Sequence, residues 1–522
     1  MPLKIAMIGA GSVGFTRRLM QDILAVPELK DTHFALMDIS QHNLDMVKQL
    51  CERDIKSNSL PATVSGTLGQ REAIQHADYV VCMIRQGGLE AFQLDIDIPL
   101  KYGIDQCVGD TICAGGIMYG QRTIPVLLNI CKDIREVAKP NALFLNYSNP
   151  MAMNTWACNQ YGGVKTIGLC HGVQHGHEQI ASCIEYWAKR EGLIGDTERV
   201  TRKDVDIICA GINHQTWYIS VKWRGQDMTP KMLGLFENHP VYKHQEKVRI
   251  DVIRRFGYYS TESNGHLSEY LPWYRKRVED IPGWIDMSNW IHGETGGYLR
   301  VCTEGRNWFE NDFPNWLNES APVISQENRS HEHGSYIIEG LETGRTYRGH
   351  FNIINQGHIT NLPNGCVIEI PGYVDKNGIN MPVVGDLPLA CAATCSASVN
   401  VQKMSVEAAV HGDVMLLKQA MLHDPLVGAV CMPEEVWQLA DEMLVAQAKW
   451  LPNYSSQEIE KAKQRLQEHE AKGTRVKVRD TQGAARLHTR TVEELSEQRE
   501  ETRASAMTSD KGKVTHHVNQ AK

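Results

Sequence analysis

The sequence predicts an α/β protein: a doubly wound parallel sheet in its N-terminal part, followed by an α+β domain. Three observations carry this. Short apolar runs alternate with amphipathic stretches over residues 1–150. A glycine-rich turn joins the first run to the first amphipathic stretch. Beyond residue 210 long helical periodicities mix with isolated strand candidates. Strands that alternate with helices form parallel sheets, because each crossover helix covers a face of the sheet.

Residues 4–8, 34–37, 79–84 and 143–146 read as buried strands, and 166–170 and 205–210 as two more. Residues 15–24 follow a helical pattern. Farther on, 404–421 and 434–449 have helical periodicity, and 351–355 and 366–370 are strand candidates. This divides the chain into a dinucleotide-binding domain at 1–210, a catalytic and oligomerisation domain at 211–454, and a polar tail at 455–522. Residues 456–471 of that tail could form an exposed helix; the remainder has too little apolar surface to offset the entropy of ordering and is expected to be largely disordered.

The composition narrows the function. The 522 residues carry a net charge of −8, so no basic surface suited to nucleic acid is expected. No apolar run is long enough for a membrane span, and the N-terminus lacks the layout of a signal peptide. The 14 cysteines are scattered and form no CxxC pair, which fits reduced thiols in the cytoplasm.

Gly9, Gly11 and Gly14 form a GxGxxG that follows the first strand and opens the first helix. In that context the glycines permit a tight turn and close approach of backbone to a pyrophosphate, which the helix N-terminus then attracts. Ser12 and Phe15 belong to the same loop. Asp38 ends the second strand, where its carboxylate would accept hydrogen bonds from ribose hydroxyls and repel a 2′-phosphate. These six residues form a candidate NAD site on a Rossmann-like sheet. Cys170 and His171 follow one strand and His214 another, and ligands gather at the carboxyl ends of strands, so the three could converge. A thiolate and an imidazole suit a borderline divalent ion, although a Cys-His dipeptide is by itself more often structural.

These stretches resemble the family 4 glycosidases, in the branch containing melibiase-type α-galactosidases and α-galacturonidases. The matching segments are GAGSVGF (9–15), FALMDI (34–39), GGIMYGQRTIP (115–125), LNYSNPMAMNTW (145–156), GLCHGVQ (168–174), CAGINHQTWY (209–218) and TESNGHLSEYLPWY (261–274). The resemblance spans residues 1–454 and implies a dehydrogenase-like architecture of the lactate/malate type. It implies NAD and a divalent metal, usually Mn²⁺, as cofactors, with Cys170 and His214 as metal ligands. It implies cleavage of α-galactosides by C3 oxidation, C1–C2 elimination, water addition and C3 reduction, or the same chemistry on α-galacturonides.

Asn149 is implied as a substrate contact and Tyr270 as the C2 base, with His266 and Tyr258 as alternatives. His266 also serves as a candidate substrate contact. His171 stands where relatives acting on 6-phosphosugars carry Asp, which points to unphosphorylated substrates. His171 and Asp110 are alternative proton donors. Arg85 would suit an acidic sugar, because guanidinium pairs with carboxylate. The implied partners are a small glycoside substrate and further copies of the chain, as a homodimer or homotetramer. A lactate/malate-type dehydrogenase is the rival reading, and it would release NADH in step with product.

Overall fold

The computed structural model describes residues 2–286, 293–479, 483 and 486–498. Its thirteen strands are β1 (Lys4–Ile8), β2 (His33–Met37), β3 (Thr63–Thr67), β4 (Tyr79–Cys82), β5 (Leu143–Asn146), β6 (Thr166–Gly168), β7 (Val205–Ile212), β8 (Gln215–Trp223), β9 (Gln226–Asp227), β10 (Tyr259–Ser260), β11 (Tyr347–Ile354), β12 (Val367–Asp375) and β13 (Gly378–Asn380). They form one sheet with the path β10-β8-β7-β12-β11-β6-β5-β4-β1-β2-β3, with β9 on β8 and β13 on β12. From β3 to β6 all pairings are parallel, in the order 3-2-1-4-5-6 of a dinucleotide-binding sheet.

Burial explains the near-continuous apolar runs of the parallel strands. Ile5 and Met7 face one core with Leu19, Ile23 and Phe34; Ala6 and Ile8 face the other with Ile130 and Phe144. A strand covered on both faces has no polar side to alternate with. A larger core forms where helices Cys113–Val137, Met151–Gln160, Leu389–His411 and Pro433–Gln447 pack together.

Several expectations change. The boundary drawn at 210/211 falls inside β7, and the sheet continues through it. The expected helix at 404–421 is two helices, Leu389–His411 and Val414–His423. Gly412 ends the first at φ +67°, and the Asp413 side chain caps the second by accepting from Leu416 N at 2.9 Å. The tail is more structured than its composition suggested. Helix Ser456–Ala471 packs beside Pro433–Gln447, with Arg465 paired to Asp441, and residues 472–479 and 486–498 follow along the body. Its attachment combines a few apolar contacts, Ile459, Ala462 and Val476, with several Arg–carboxylate pairs, and the pairs are what a count of apolar residues misses. Residues 499–522 lie outside the described part. No helix among the described residues is long and apolar enough to cross a membrane.

β6 carries the chain to Cys170, and it is tightly packed. A Cβ on Gly168 would meet the Met151 sulfur and the Thr155 hydroxyl of helix Met151–Gln160. Gly168→Ala should therefore destabilise the fold by about 1–3 kcal/mol, read as a lowered midpoint in denaturant.

Candidate active site

The glycine loop crosses the carboxyl ends of β1 and β4. Gly9 and Ala10 donate backbone hydrogen bonds to Met37 O, each at 2.9 Å. Gly9 has φ +86°, and a Cβ there would lie 2.9 Å from Met83 O. The Asp38 carboxylate accepts from Gly11 N at 2.8 Å and Ser40 N at 2.9 Å, holding it against the loop. A Cβ on Gly11 would lie 2.7 Å from that carboxylate. Ser12 is the N-cap of helix Val13–Leu24 and its side chain makes no capping bond. Gly14 lies in the first turn, and the Phe15 ring meets Tyr147 edge to face with centroids 4.5 Å apart. The first-turn amides and the cradle left by the missing Cβ atoms fit a dinucleotide pyrophosphate.

A second group of side chains gathers at the ends of β6 and β7. Cys170 Sγ lies 3.4 Å from His214 Nε2. Both face Glu262, whose Oε2 is 3.6 Å from each of those atoms. His214 sits in the two-residue turn between β7 and β8 at φ +63°. That conformation costs a non-glycine residue about 1–3 kcal/mol, and the imidazole is held in it by a 2.7 Å hydrogen bond between Nδ1 and Thr111 Oγ1. Glu262 follows β10. The fully buried Arg249 fixes its backbone by donating to Glu262 O at 2.8 Å, and its carboxylate abuts Gly172 at the N-terminus of helix Gly172–Arg190.

Asp110 joins this group to a third. It accepts from Asn149 Nδ2 at 2.7 Å and from Thr111 Oγ1 at 2.8 Å. Tyr270 OH and His266 Nε2 each lie 3.5 Å from its Oδ1. The rings of His266, His214 and Tyr270 cluster, with His266 4.7 Å from His214 and 5.6 Å from Tyr270, and His214 6.4 Å from Tyr270. Glu269 holds the Asp110 loop by accepting from the amides of Cys107, Val108 and Gly109 at 2.6 to 3.0 Å. One short helix, Asn264–Tyr270, thus supplies the clamp, the imidazole and the phenol.

The charges are interdependent. Burial, with the Glu262 and Glu369 carboxylates, pushes the Cys170 thiol well above its usual range. Burial would also raise Glu262, but His214 and His266 outweigh it and bring it down to about 2. Asp110 is likewise buried yet held below the carboxylate range by His266, His214 and Arg85. Burial opposes the proton on His266, but Asp110 and Glu262 raise that imidazole to about 9. Burial and Asp110 push Tyr270 well above a normal phenol. Sulfur, imidazole nitrogen and carboxylate oxygen within one ligand shell fit a divalent first-row ion, whose charge would offset the opposed thiolate and carboxylate.

Of the residues expected from sequence, Cys170, His214, Asp110, Asn149, His266 and Tyr270 come together. Arg85 lies beside them, its guanidinium 4.1 Å from the Phe92 ring centroid, 4.8 Å from Tyr119 and 5.5 Å from Tyr298. His171 does not join them: its side chain is 59% exposed, and its nearest acid is Glu332 at 3.9 Å. Tyr258 packs at the edge of the large core. Glu262 and Thr111 were missed. Glu262 could have been noticed as an acid inside the matched segment 261–274, but the strand before it has two residues and gives no periodic signal.

The sequence pattern of the family 4 glycosyl hydrolases matches residues 4–186, and that of their C-terminal domain matches 209–427. An α-galactosidase of Rhizobium meliloti (strain 1021) is 58% identical over 96% of this chain and 99% of its own. One from Bacillus subtilis (strain 168) is 34% identical over 86% and 99%, and an α-galacturonidase of Lachnoclostridium phytofermentans 28% over 86% and 97%. Among solved structures, the lplD protein of Bacillus subtilis superposes with a TM-score of 0.73 at 25% identity, covering 85% of this chain and all of its own. The 6-phospho-β-glucosidase of Thermotoga maritima, solved with manganese, NAD⁺ and glucose-6-phosphate, shares the fold at a TM-score of 0.67 and 22% identity over 86% and 99%.

Two measurements test the site. Cys170→Ser should weaken Mn²⁺ binding by more than ~10-fold, because a hydroxyl is a far poorer donor than a thiolate to such an ion; electron paramagnetic resonance titration reads this directly. In metal-free protein, His266 has a folded pKa of about 9 against an ordinary 6.5. Its contribution to stability is therefore complete below the lower value and lost as pH rises through the higher one. The melting temperature should fall across that window, and His266→Gln should flatten the fall. With both halves matched in order along its length, the chain belongs to the family 4 glycosyl hydrolases, and it is a glycosidase.

Proposed function

We propose that the enzyme hydrolyses α-galactosides with NAD and a divalent first-row metal, Mn²⁺ among them, as bound cofactors. The observation that carries this reading is the Cys170–His214–Glu262 cluster, set beside Asp110, His266 and Asn149 at the carboxyl end of a sheet whose first loop fits a dinucleotide. When bound, the nicotinamide supplies reversible hydride exchange with C3 of the sugar, and the metal supplies Lewis acidity toward the neighbouring oxygens.

The side chains supply the proton transfers. Glu262, beside Cys170 and His214, would complete the ligand set of the metal. Tyr270, the base implied by resemblance, has its hydroxyl 3.5 Å from Asp110 and would accept the C2 proton once the charge of the bound metal favours its phenolate. Asp110, kept ionised, keeps His266 protonated, and His266 then gives that proton to the C1 oxygen as it leaves. Asn149 and Arg85 orient the sugar. His171, open to solvent, takes no part in this relay.

A galactoside is favoured over a galacturonide because relatives of the first activity are the more similar. A buried Arg85 Nη1 without a hydrogen-bond partner among the described residues supports the uronide as the second reading. A cytoplasmic location rests on the 14 unbridged thiols. A homodimer or homotetramer rests on the prevalence of closed symmetric assemblies.

The test is a panel of nitrophenyl α-galactoside and α-galacturonide with NAD⁺ and Mn²⁺ added or withheld. Activity should need both cofactors, favour the galactoside and slow with deuterium at C2. Tyr270→Phe should lower kcat by ~10²–10⁴ with NAD⁺ affinity unchanged. Full activity after both cofactors are stripped would exclude this chemistry.

A further inference from the structure

Residues 472–479 follow helix Ser456–Ala471, and 479 and 486–498 meet the outside of two helices, Gly88–Lys101 and Gly297–Asn318. Arg479 N donates to Lys101 O at 2.9 Å, where the first helix ends. Arg486 pairs with Asp97 of that helix at 2.8 Å. Arg490 then reaches the second helix, donating to Glu304 from its backbone at 2.8 Å and from Nη2 at 2.7 Å. Arg300 also donates to Glu304, at 3.2 Å.

The inner faces of the same two helices build the surroundings of Arg85. Phe92 comes from the first and Tyr298 from the second, and their rings meet edge to face with centroids 6.0 Å apart. Phe92, Ile96 and Leu299 pack between the helices. Arg85 is held over both rings, with Nη1 buried and without a hydrogen-bond partner among the described residues. Each helix is also tied to the body, the first by the buried Asp95–Arg122 pair and the second by Tyr298 N donating to Cys107 O at 3.3 Å, and the strap adds from outside a charge-assisted hydrogen bond that links one helix to the other. Glu304 is 5% exposed, so its pairing with Arg490 is poorly screened, while Asp97 and Arg486 are each 40% exposed and open to salt.

We propose that Arg486 and Arg490 are positioning residues for substrate binding: from outside, the C-terminal strap sets the distance between the two helices whose inner rings aim the Arg85 guanidinium at the sugar. This rests on the reading of Arg85 as a substrate contact. The strap touches neither the glycine loop nor the Cys170 cluster, so its effect is specific to the substrate.

The experiment compares full-length wild type, R486A/R490A, R490K and R85M with nitrophenyl α-galactoside in the presence of NAD⁺ and Mn²⁺. The double variant should raise KM by about fivefold or more while kcat and the NAD⁺ dissociation constant stay within about twofold, the pattern of lost ground-state binding. R490K should recover most of the loss, and wild-type KM should rise as NaCl goes from about 0.05 to about 0.5 M. If the double variant folds poorly, R486A alone, at the more exposed pair, gives the same readout. An unchanged KM with only a lowered melting temperature overturns the proposal. R85M separates the two layers. A KM raised by R85M but not by the strap variants overturns the strap alone, whereas a KM that R85M leaves unchanged removes the Arg85 contact and the proposal with it.

Discussion

The approach of one sulfur to one imidazole organises this molecule. Cys170 follows β6 and His214 follows β7, yet those strands are not neighbours: β11 and β12 lie between them. At both joins the pairing is reduced to a single residue pair, Asn352 with Gly168 and Glu369 with Gly211. A sheet so lightly stitched can twist sharply there, and the two strand ends converge beyond it until Sγ and Nε2 are 3.4 Å apart. The parallel half of the sheet, with its glycine loop, is thereby brought against the His214 turn of the antiparallel half. Neither half alone contains the site.

Around that contact, charge is balanced by groups that never need to touch a sugar. Arg249 ties Glu262 by its carbonyl, Glu269 ties the Asp110 loop by three amides, and Thr111 bridges Asp110 to His214. All three are buried; Arg249 and Glu269 fix backbone, whereas Thr111 fixes the Asp110 carboxylate and the His214 ring themselves. Such anchoring is what allows a left-handed His214 and an ionised, buried Asp110 to persist.

What could be read from the chain alone follows from the range of the interactions. The glycine loop, its preceding strand and Asp38 are local in sequence, and the Cys170 and His214 positions lie at strand ends that periodicity locates. Glu262 was invisible to such reasoning because it depends on a two-residue strand and on Arg249, contacts that no local pattern records. β3, with Thr63, Ser65 and Gly66 in place of an apolar run, was passed over for the same lack of pattern. The helix expected at 404–421 failed through one glycine, where apolar periodicity persists across a break that only the backbone angle reveals. In the tail the helix at 456–471 is where periodicity put it, whereas the docking of 472–479 and 486–498 escaped notice because paired charges, unlike buried carbon, look the same in a sequence whether they are solvated or docked.

Twelve of the fourteen thiols are buried, and only Cys170 and Cys302 are partly accessible. One of these two lies in the proposed ion site and the other beside the substrate cage, so alkylation of the native protein becomes a two-channel gauge. Shielding of the first thiol would report bound metal, and shielding of the second would report an occupied sugar pocket, within a single intact molecule and without turnover.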